Sequence, residues 1–405
     1  MTTKEYYLTI KAASRVATEC SPRIVWKFMR NFAFRSARNI SRFEKRQDKG
    51  APFFPAFVMI SVNEACNLSC SGCWVSHGGA KALSHTQLNG IIESCKKEGA
   101  YFFGILGGEP LLYKGLLDVL EKHGDCYFQL FTNGLLLTDE VAKRLKKMGN
   151  VTPLISIEGL EAESETRRGK NDVYRRSLEG IRACKKAKLI IGAAASICRS
   201  NFEELVNRRY LELLAKEGVH YLWYYIYRPV GADPNPGNAL DREQIIALRR
   251  FIVEQRCCAP LQIIDAYWDD KGLALCPAAA GISHHISPSG AVEFCPPMQM
   301  SKDFLNENGS NLKEIFARSS FLADFRKITA ENSRGCIILE NPELMVDFLI
   351  KQAAIDTTSR ETVLQELRKM SQLPGHDLKE EAIPDRNIFY RFVKKRYFFG
   401  FGAYG

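Results

Sequence analysis

The stretch Ser61-Val62-Asn63-Glu64-Ala65-Cys66-Asn67-Leu68-Ser69-Cys70-Ser71-Gly72-Cys73 closes a short apolar run and sets three cysteines at C-x3-C-x2-C on one loop. Such a loop can turn three thiolates toward one point. Soft thiolates select iron–sulfur clusters or zinc. Three protein ligands leave a fourth position open, which marks a centre that binds a substrate or cofactor rather than a structural one. On spacing alone, zinc and three inert loop cysteines stay beside the cluster reading.

Outward from that loop, short apolar runs at 57–62, 101–106, 127–132, 153–157, 189–197 and 221–227 alternate with helical patterns at 85–98, 113–123, 138–148, 173–186 and 202–217. A repeated βα rhythm predicts an α/β fold with a parallel sheet, and six strands in series fit an open (β/α)6 partial barrel with helices outside. Four segments follow. Residues 1–55 are a basic N-terminal extension, and 56–235 are the partial barrel. Residues 236–340 hold a helix at 242–256 and then a Pro-, Gly- and Ser-containing, loop-rich module. Residues 341–405 are a helical, basic-aromatic tail.

Three further motifs follow strands in order. Gly107-Gly108-Glu109-Pro110 follows the second strand and Thr132-Asn133-Gly134 the third. Ser156-Ile157-Glu158-Gly159 ends the fourth, with Arg167-Arg168-Gly169 just beyond. All lie at the C-terminal ends of strands, where α/β folds place ligand sites. With the cysteine triad, the set resembles the signature of the radical S-adenosylmethionine (SAM) superfamily over about residues 56–232. The resemblance implies a [4Fe–4S] cluster on Cys66, Cys70 and Cys73, with SAM chelating the open iron. It implies that Gly107, Gly108, Glu109 and Pro110 meet the SAM amino group. Thr132 and Asn133 would form the family's conserved turn, while Ser156, Glu158 and Arg168 would help hold SAM. Glycines at 107 and 108 permit close backbone approach to a ligand, and Glu109 offers an acceptor to an ammonium group. Two departures stand out. Gly72 occupies the position before the third cysteine where the family usually carries an adenine-touching aromatic or apolar residue, and Trp74 follows the triad instead. Glu158 replaces the commoner Asp.

Cys276, Gly290 and Cys295 stand as C-x13-G-x4-C. This resembles the opening of SPASM or twitch modules, which carry auxiliary [4Fe–4S] clusters in radical SAM enzymes, with Cys336 as a third ligand. No C-x2-C-x5-C-x3-C run follows, so one auxiliary cluster is expected rather than two. Cys257, Cys258, His284, His285 and the substrate are the candidates for a fourth ligand; zinc, or packing of a hairpin, is the alternative use of these cysteines. Cys20, Cys95, Cys126, Cys184 and Cys198 fall singly and read as small buried hydrophobes. His77 reads as a surface-loop residue. Tyr224, Tyr225, Tyr227 and Arg228 end the sixth strand, facing the barrel interior or packing its core.

The resemblance implies reductive cleavage of SAM to methionine and a 5′-deoxyadenosyl radical, hydrogen abstraction from a C–H bond, a flavodoxin- or ferredoxin-like electron donor, and oxygen sensitivity. The chain of 405 residues carries 13 cysteines, an odd number that argues against a disulfide framework. No apolar run approaches the ~18 residues of a membrane span and no secretory signal opens the chain, so a cytoplasmic protein is expected. The net charge of +10 sits at the ends. Between residues 21 and 50, nine Lys/Arg face two acids, and between 386 and 405 five face none. Basic, aromatic ends favour anionic headgroups, which points to a lipid-like or tetrapyrrole substrate at a membrane surface. Peptide or protein maturation is the alternative, and a non-catalytic iron–sulfur electron-transfer protein a remote one. Folding of the ends back onto the barrel is the plainer use of their charge, and nucleic-acid binding the weakest.

Overall fold

The computed structural model describes residues 14–76, 79–378 and 381–394. Strands β1 (Phe57–Ser61) and β2 (Phe102–Leu106) are buried along their whole length. That is the pattern of a parallel sheet covered on both faces, where alternation gives way to continuous apolar runs. β3 (Tyr127–Thr132), β4 (Val151–Ser156), β5 (Gly192–Ile197), β6 (Tyr221–Ile226) and β7 (Gln262–Asp265) follow in spatial order, each parallel to the last. Helices link them: α1 (His85–Glu98), α2 (Leu116–Lys122), α3 (Asp139–Met148), α4 (Glu161–Arg168), α5 (Val173–Lys186), α6 (Arg208–Glu217) and α7 (Arg242–Gln255). Local chemistry sets their ends. Ser84 and Gln87 form a capping box on α1, and Asp241 and Gln244 do the same on α7, each satisfying otherwise orphaned donors. The expected α/β partial barrel is present.

The sheet is larger than six strands. β7 extends the parallel series past β6. On the other edge β8 (Ser283–Ile286) pairs parallel with β1, and β9 (Val292–Glu293) pairs antiparallel with β8. The segment 258–340, expected to stand apart as a loop-rich module, therefore contributes three strands to the barrel sheet. These strands span only two to four residues, too short for periodicity to mark. The long helical pattern at 202–217 is also two pieces, Phe202–Leu205 and α6, with Asn207 capping the second.

The N-terminal extension is helical from Pro22 to Asp48, interrupted by a wider π-type turn over Phe28–Phe34. Phe28 and Phe32 stack at 4.7 Å and lie edge-on to Tyr127 at 5.6 Å and Phe102 at 5.2 Å. Asn31 Nδ2 donates to the carbonyls of Gly124 and Cys126 at 3.0 and 3.2 Å. The apolar face of this amphipathic segment thus plugs the barrel at the N-terminal ends of its strands. Arg30, Arg38 and Arg42 stay exposed outside it. The tail also folds back: Tyr390 is buried with Arg256 3.8 Å above its ring, and Lys394 Nζ lies 3.1 Å from Asp265 Oδ1. Tyr397, Phe398, Phe399, Phe401, Tyr404 and His77 lie outside the described residues.

Candidate functional site

The loop after β1 is held in place by all the motifs that follow it. Gly108 N–H donates to Asn63 O at 2.9 Å and Glu109 N–H to Ala65 O at 2.8 Å. Asn133 Nδ2 donates to Asn67 Oδ1 at 2.7 Å, and Ser71 N–H to Arg167 O at 2.8 Å. Two strand ends and the last turn of α4 therefore grip one cysteine loop. The glycines serve this grip. A Cβ on Gly107 would lie 2.3 Å from Asn63 Oδ1, and one on Gly108 2.4 Å from the carbonyls of Glu64 and Ala65. Their close approach is to the cysteine loop, not only to a ligand as the motif suggested.

Glu109 is buried, 1% exposed. Its carboxylate accepts from Thr132 Oγ1 (2.8 Å), Asn133 N (2.8 Å) and Leu111 N (3.1 Å). Burial pushes its pKa up against the pull of these donors. Glu109 and Pro110 do not line the cavity beside the thiols, so Glu109 joins the second and third motifs to each other.

That cavity, of about 280 Å³, is lined by Cys66, Cys70, Cys73, Gly107, Gly108, Thr132, Asn133, Ser156, Glu158 and Arg168, brought together from four strand ends. Burial raises the Cys66 and Cys70 thiols, and pushes Cys73 up to about 12, while Arg168 pulls all three down. A thiol so placed becomes a ligand when a metal takes the place of its proton. Glu158 lies between two guanidiniums, 3.1 Å from Arg168 Nη2 and 3.5 Å from Arg167 Nη1, and accepts from Ser196 N–H at 3.0 Å.

Sequence reasoning named Arg167 in a motif without giving it a role, and passed over Ser196 and Arg360. Arg360 Nη1 donates to Trp74 O (3.1 Å) and Ser76 Oγ (3.0 Å), while Nη2 reaches Gln299 Oε1 at 2.8 Å and Glu366 holds the fork from below. No local motif marks it, because its partners lie up to 286 residues away in sequence.

Gly72 has φ of +69°, and a Cβ there would lie 2.3 Å from Tyr227 Oη. The Tyr227 ring, from the end of β6, stands where a side chain at position 72 would project. Tyr225, Tyr227 and Arg228 line the cavity; Tyr224 points away and donates to Leu205 O. Trp74 lines the cavity too, edge-on to His285 at 6.0 Å.

A second, smaller cavity is lined by Cys276, Cys295, Cys336, Arg228, Tyr267 and His376. Arg228 faces both cavities, and its Nε–H donates to Cys336 Sγ at 3.0 Å. Burial alone would lower its pKa, but Cys336, Tyr267 and Cys295 raise it. No carboxylate pairs with Arg228 among the described residues; thiols take that place. A buried cation needs a counter-charge, and thiolates on a cluster supply one. Among the described residues no three His, Cys, Asp or Glu side chains close on a single ion. Both cysteine triads fit thiolate-bound clusters.

The candidates for a fourth auxiliary ligand lie elsewhere. Cys257 and Cys258 turn back onto the carbonyls of α7. His285 is engaged by Ser61 and Glu293, and His284 is buried against Phe53 and Phe316. Cys20, Cys95, Cys126 and Cys184 are core residues as expected. Cys198 is buried and takes hydrogen bonds from Arg167 Nη1 (3.1 Å) and Asn238 Nδ2 (3.2 Å). A third cavity, about 610 Å³, lies at the opposite end of the barrel among Trp26, Arg30, Phe34, Arg38, Arg42 and Tyr101, away from every motif.

Comparison with known proteins accords with this geometry. Residues 60–198 match the model of the radical SAM superfamily. The sporulation killing factor maturation protein SkfB of Bacillus subtilis is 29% identical over 257 residues, covering 60% of this chain and 57% of that protein. The AdoMet-dependent heme synthase of Methanosarcina barkeri is 25% identical over 200 residues, covering 47% of this chain and 57% of that protein. The chain thus spans under two thirds of these relatives' own length. Among solved structures, Streptococcus suis SuiB bound to S-adenosylmethionine shares the fold with a TM-score of 0.60 at 16% identity, covering 70% of each chain.

Proposed function

We propose that this chain, a radical SAM superfamily member with its matching domain at residues 60–198, reductively cleaves SAM and uses the resulting radical to abstract hydrogen from a peptide substrate. The observation that carries the SAM reading is the single cavity joining the three thiols to Gly107, Thr132, Asn133, Ser156 and Arg168.

In this reading Cys66, Cys70 and Cys73 hold one cluster, and Cys276, Cys295 and Cys336 a second. Bound there and reduced by a flavodoxin- or ferredoxin-like donor, such a cluster would supply the electron for reductive cleavage of SAM to methionine and a 5′-deoxyadenosyl radical that abstracts hydrogen from substrate. The chain's own residues do the rest. The strand ends fix the cysteine loop, Arg168 offers its charge to the anionic ligands of the site, and Ser156, Thr132 and Asn133 present hydroxyl and amide groups to SAM. Tyr225 and Tyr227 wall the cavity and keep water from the radical. Arg228 donates to a thiolate of the second site, a contact that tunes cluster potential.

The peptide class is supported by the maturation role in the name of the SkfB relative. A second reading, a tetrapyrrole or lipid-like substrate met at a membrane surface, is supported by the heme synthase relative and by Trp26, Met29 and Phe34, which are 64%, 52% and 68% exposed beside Arg30 and Arg38. No helix among the described residues is long and apolar enough to cross a membrane.

The test is anaerobic reconstitution followed by dithionite-driven formation of 5′-deoxyadenosine, in wild type and with Cys66, Cys70 and Cys73 all changed to Ala. Roughly eight irons with cleavage, falling to roughly four with none, is expected for two cubanes. Well-loaded protein that never cleaves SAM would sink the proposal. Stimulation of cleavage by cysteine-containing peptides, against iron porphyrins in anionic vesicles, separates the two substrate readings.

A further inference from the structure

Four ligating side chains from separate parts of the chain meet at the second cavity. Cys276 follows β7, Cys295 follows β9, Cys336 precedes the helical turn Ile337–Glu340, and His376 comes from the C-terminal segment. His376 is the one the cysteine pattern gave no reason to expect. It is 3% exposed, and its ring packs on Tyr267 at 4.8 Å and on Trp268 at 6.0 Å. Its backbone carbonyl accepts from Trp268 Nε1 at 3.0 Å, so both ring and main chain are fixed.

The two ring nitrogens have different surroundings. Nε2 lies 3.2 Å from the carbonyl of Leu275, the residue before Cys276. A carbonyl only accepts, so Nε2 carries the proton and Nδ1 the lone pair. Nδ1 takes no hydrogen bond among the described residues. A ring whose far N–H is anchored on a backbone carbonyl, whose other nitrogen is unengaged, and which lines one cavity with three thiols has the elements of a ligating histidine.

We infer that His376 is the fourth protein ligand of an auxiliary [4Fe–4S] cluster held by Cys276, Cys295 and Cys336, binding through Nδ1. This rests on the auxiliary-cluster part of the reading above. Arg228, also at the cavity, cannot ligate in the same way. Its guanidinium keeps its protons, and its Nε–H is committed to Cys336 Sγ. A cluster with four protein ligands has no iron open to substrate, so this site carries electrons rather than binding the substrate.

The test uses the variant with Cys66, Cys70 and Cys73 changed to Ala, which isolates the second site, and the wild-type holoprotein alongside it. Both are reconstituted anaerobically, reduced, and examined by pulsed EPR with natural and ¹⁵N-labelled histidine. The expected result is roughly four irons per chain in the variant and a strong nitrogen coupling that switches to the ¹⁵N pattern on labelling. That coupling disappears in His376→Ala, while His376→Cys keeps the iron without it. Four irons with no histidine coupling, or a coupling that survives His376→Ala, would overturn the assignment of His376 alone. A Cys66/Cys70/Cys73 variant that melts like its chelator-stripped parent yet binds no iron would overturn the auxiliary cluster itself, and His376 with it.

Discussion

Replacing Gly72 with alanine tests whether Tyr227 fills the space that a side chain beside the third cysteine would take. Two costs arise. At φ of +69° a Cβ meets its own backbone, which costs roughly 1–2 kcal/mol for a non-glycine residue. The same Cβ lies 2.3 Å from Tyr227 Oη and 2.7 Å from its ring, so the phenol has to leave. It then gives up the hydrogen bond from Asn235 N–H at 3.2 Å and the Arg167 guanidinium 5.4 Å from its ring centre. Those contacts are worth about 0.5–1.5 and about 0.5–1 kcal/mol. Gly72→Ala should therefore cost about 2–4.5 kcal/mol in wild type, but only the backbone part, about 1–2 kcal/mol, in a Tyr227→Ala background. The coupling of about 1–2.5 kcal/mol exceeds the ~0.5 kcal/mol within which independent sites add. Urea unfolding of chelator-stripped protein, followed by tryptophan fluorescence, measures all four corners of the cycle without interference from cluster loss. Equal costs of Gly72→Ala in both backgrounds would refute the idea that Tyr227 occupies this space.

Three other outcomes follow from the geometry. Glu109→Gln replaces an acceptor with a donor amide where Thr132, Asn133 and Leu111 all donate; calorimetry should show a loss of about 1–3 kcal/mol, the cost of a buried donor left unmet. Arg360→Ala removes the tie between the cysteine loop, Gln299 and Glu366. Anaerobic iron release to a chelator should then speed up several-fold, with no rescue by Arg360→Lys, since lysine lacks the fork. His220 is held neutral: burial and then Arg15 lower its pKa to about 4, against the opposing Glu19, and its Nδ1 accepts from Ile191 N–H at 3.1 Å. The unfolded chain binds this proton below about pH 6.5 and the folded one only below about 4. The stability it contributes is thus present above pH 6.5 and lost as pH falls toward 4, by up to about 1.4 kcal/mol per pH unit. His220→Phe should flatten that part of the stability profile measured by denaturant titration, and an unchanged slope would count against it.

The sequence alone determined the βα series and the cysteine loop at its head, because both are local. Continuous apolar runs report strands buried on two faces, and helix starts such as Ser84 and Asp241 carry their caps beside them. The order of motifs along the chain also placed Gly107, Thr132 and Ser156 at strand ends, since a parallel sheet puts successive C-terminal ends side by side. Only the tertiary structure decided what those residues touch. The sequence offers Glu109 as an acceptor for an ammonium group; only the structure shows that its carboxylate also ties to the next motif, through Thr132 and Asn133, because packing brings those donors within 3 Å. β7, β8 and β9 are too short for periodicity to mark and exist because neighbouring strands offer open edges. The basic N-terminal extension reads in sequence as facing a membrane or folding back onto the barrel; packing decides it, for Phe28 and Phe32 lie against Tyr127 and Phe102. Tyr227, Arg360 and His376 reach their sites across 155, 286 and 101 residues of chain, to Gly72, Trp74 and Leu275. Contacts between residues so far apart leave no periodicity or spacing in a single sequence, because they are fixed by how the completed sheet and its connecting loops pack.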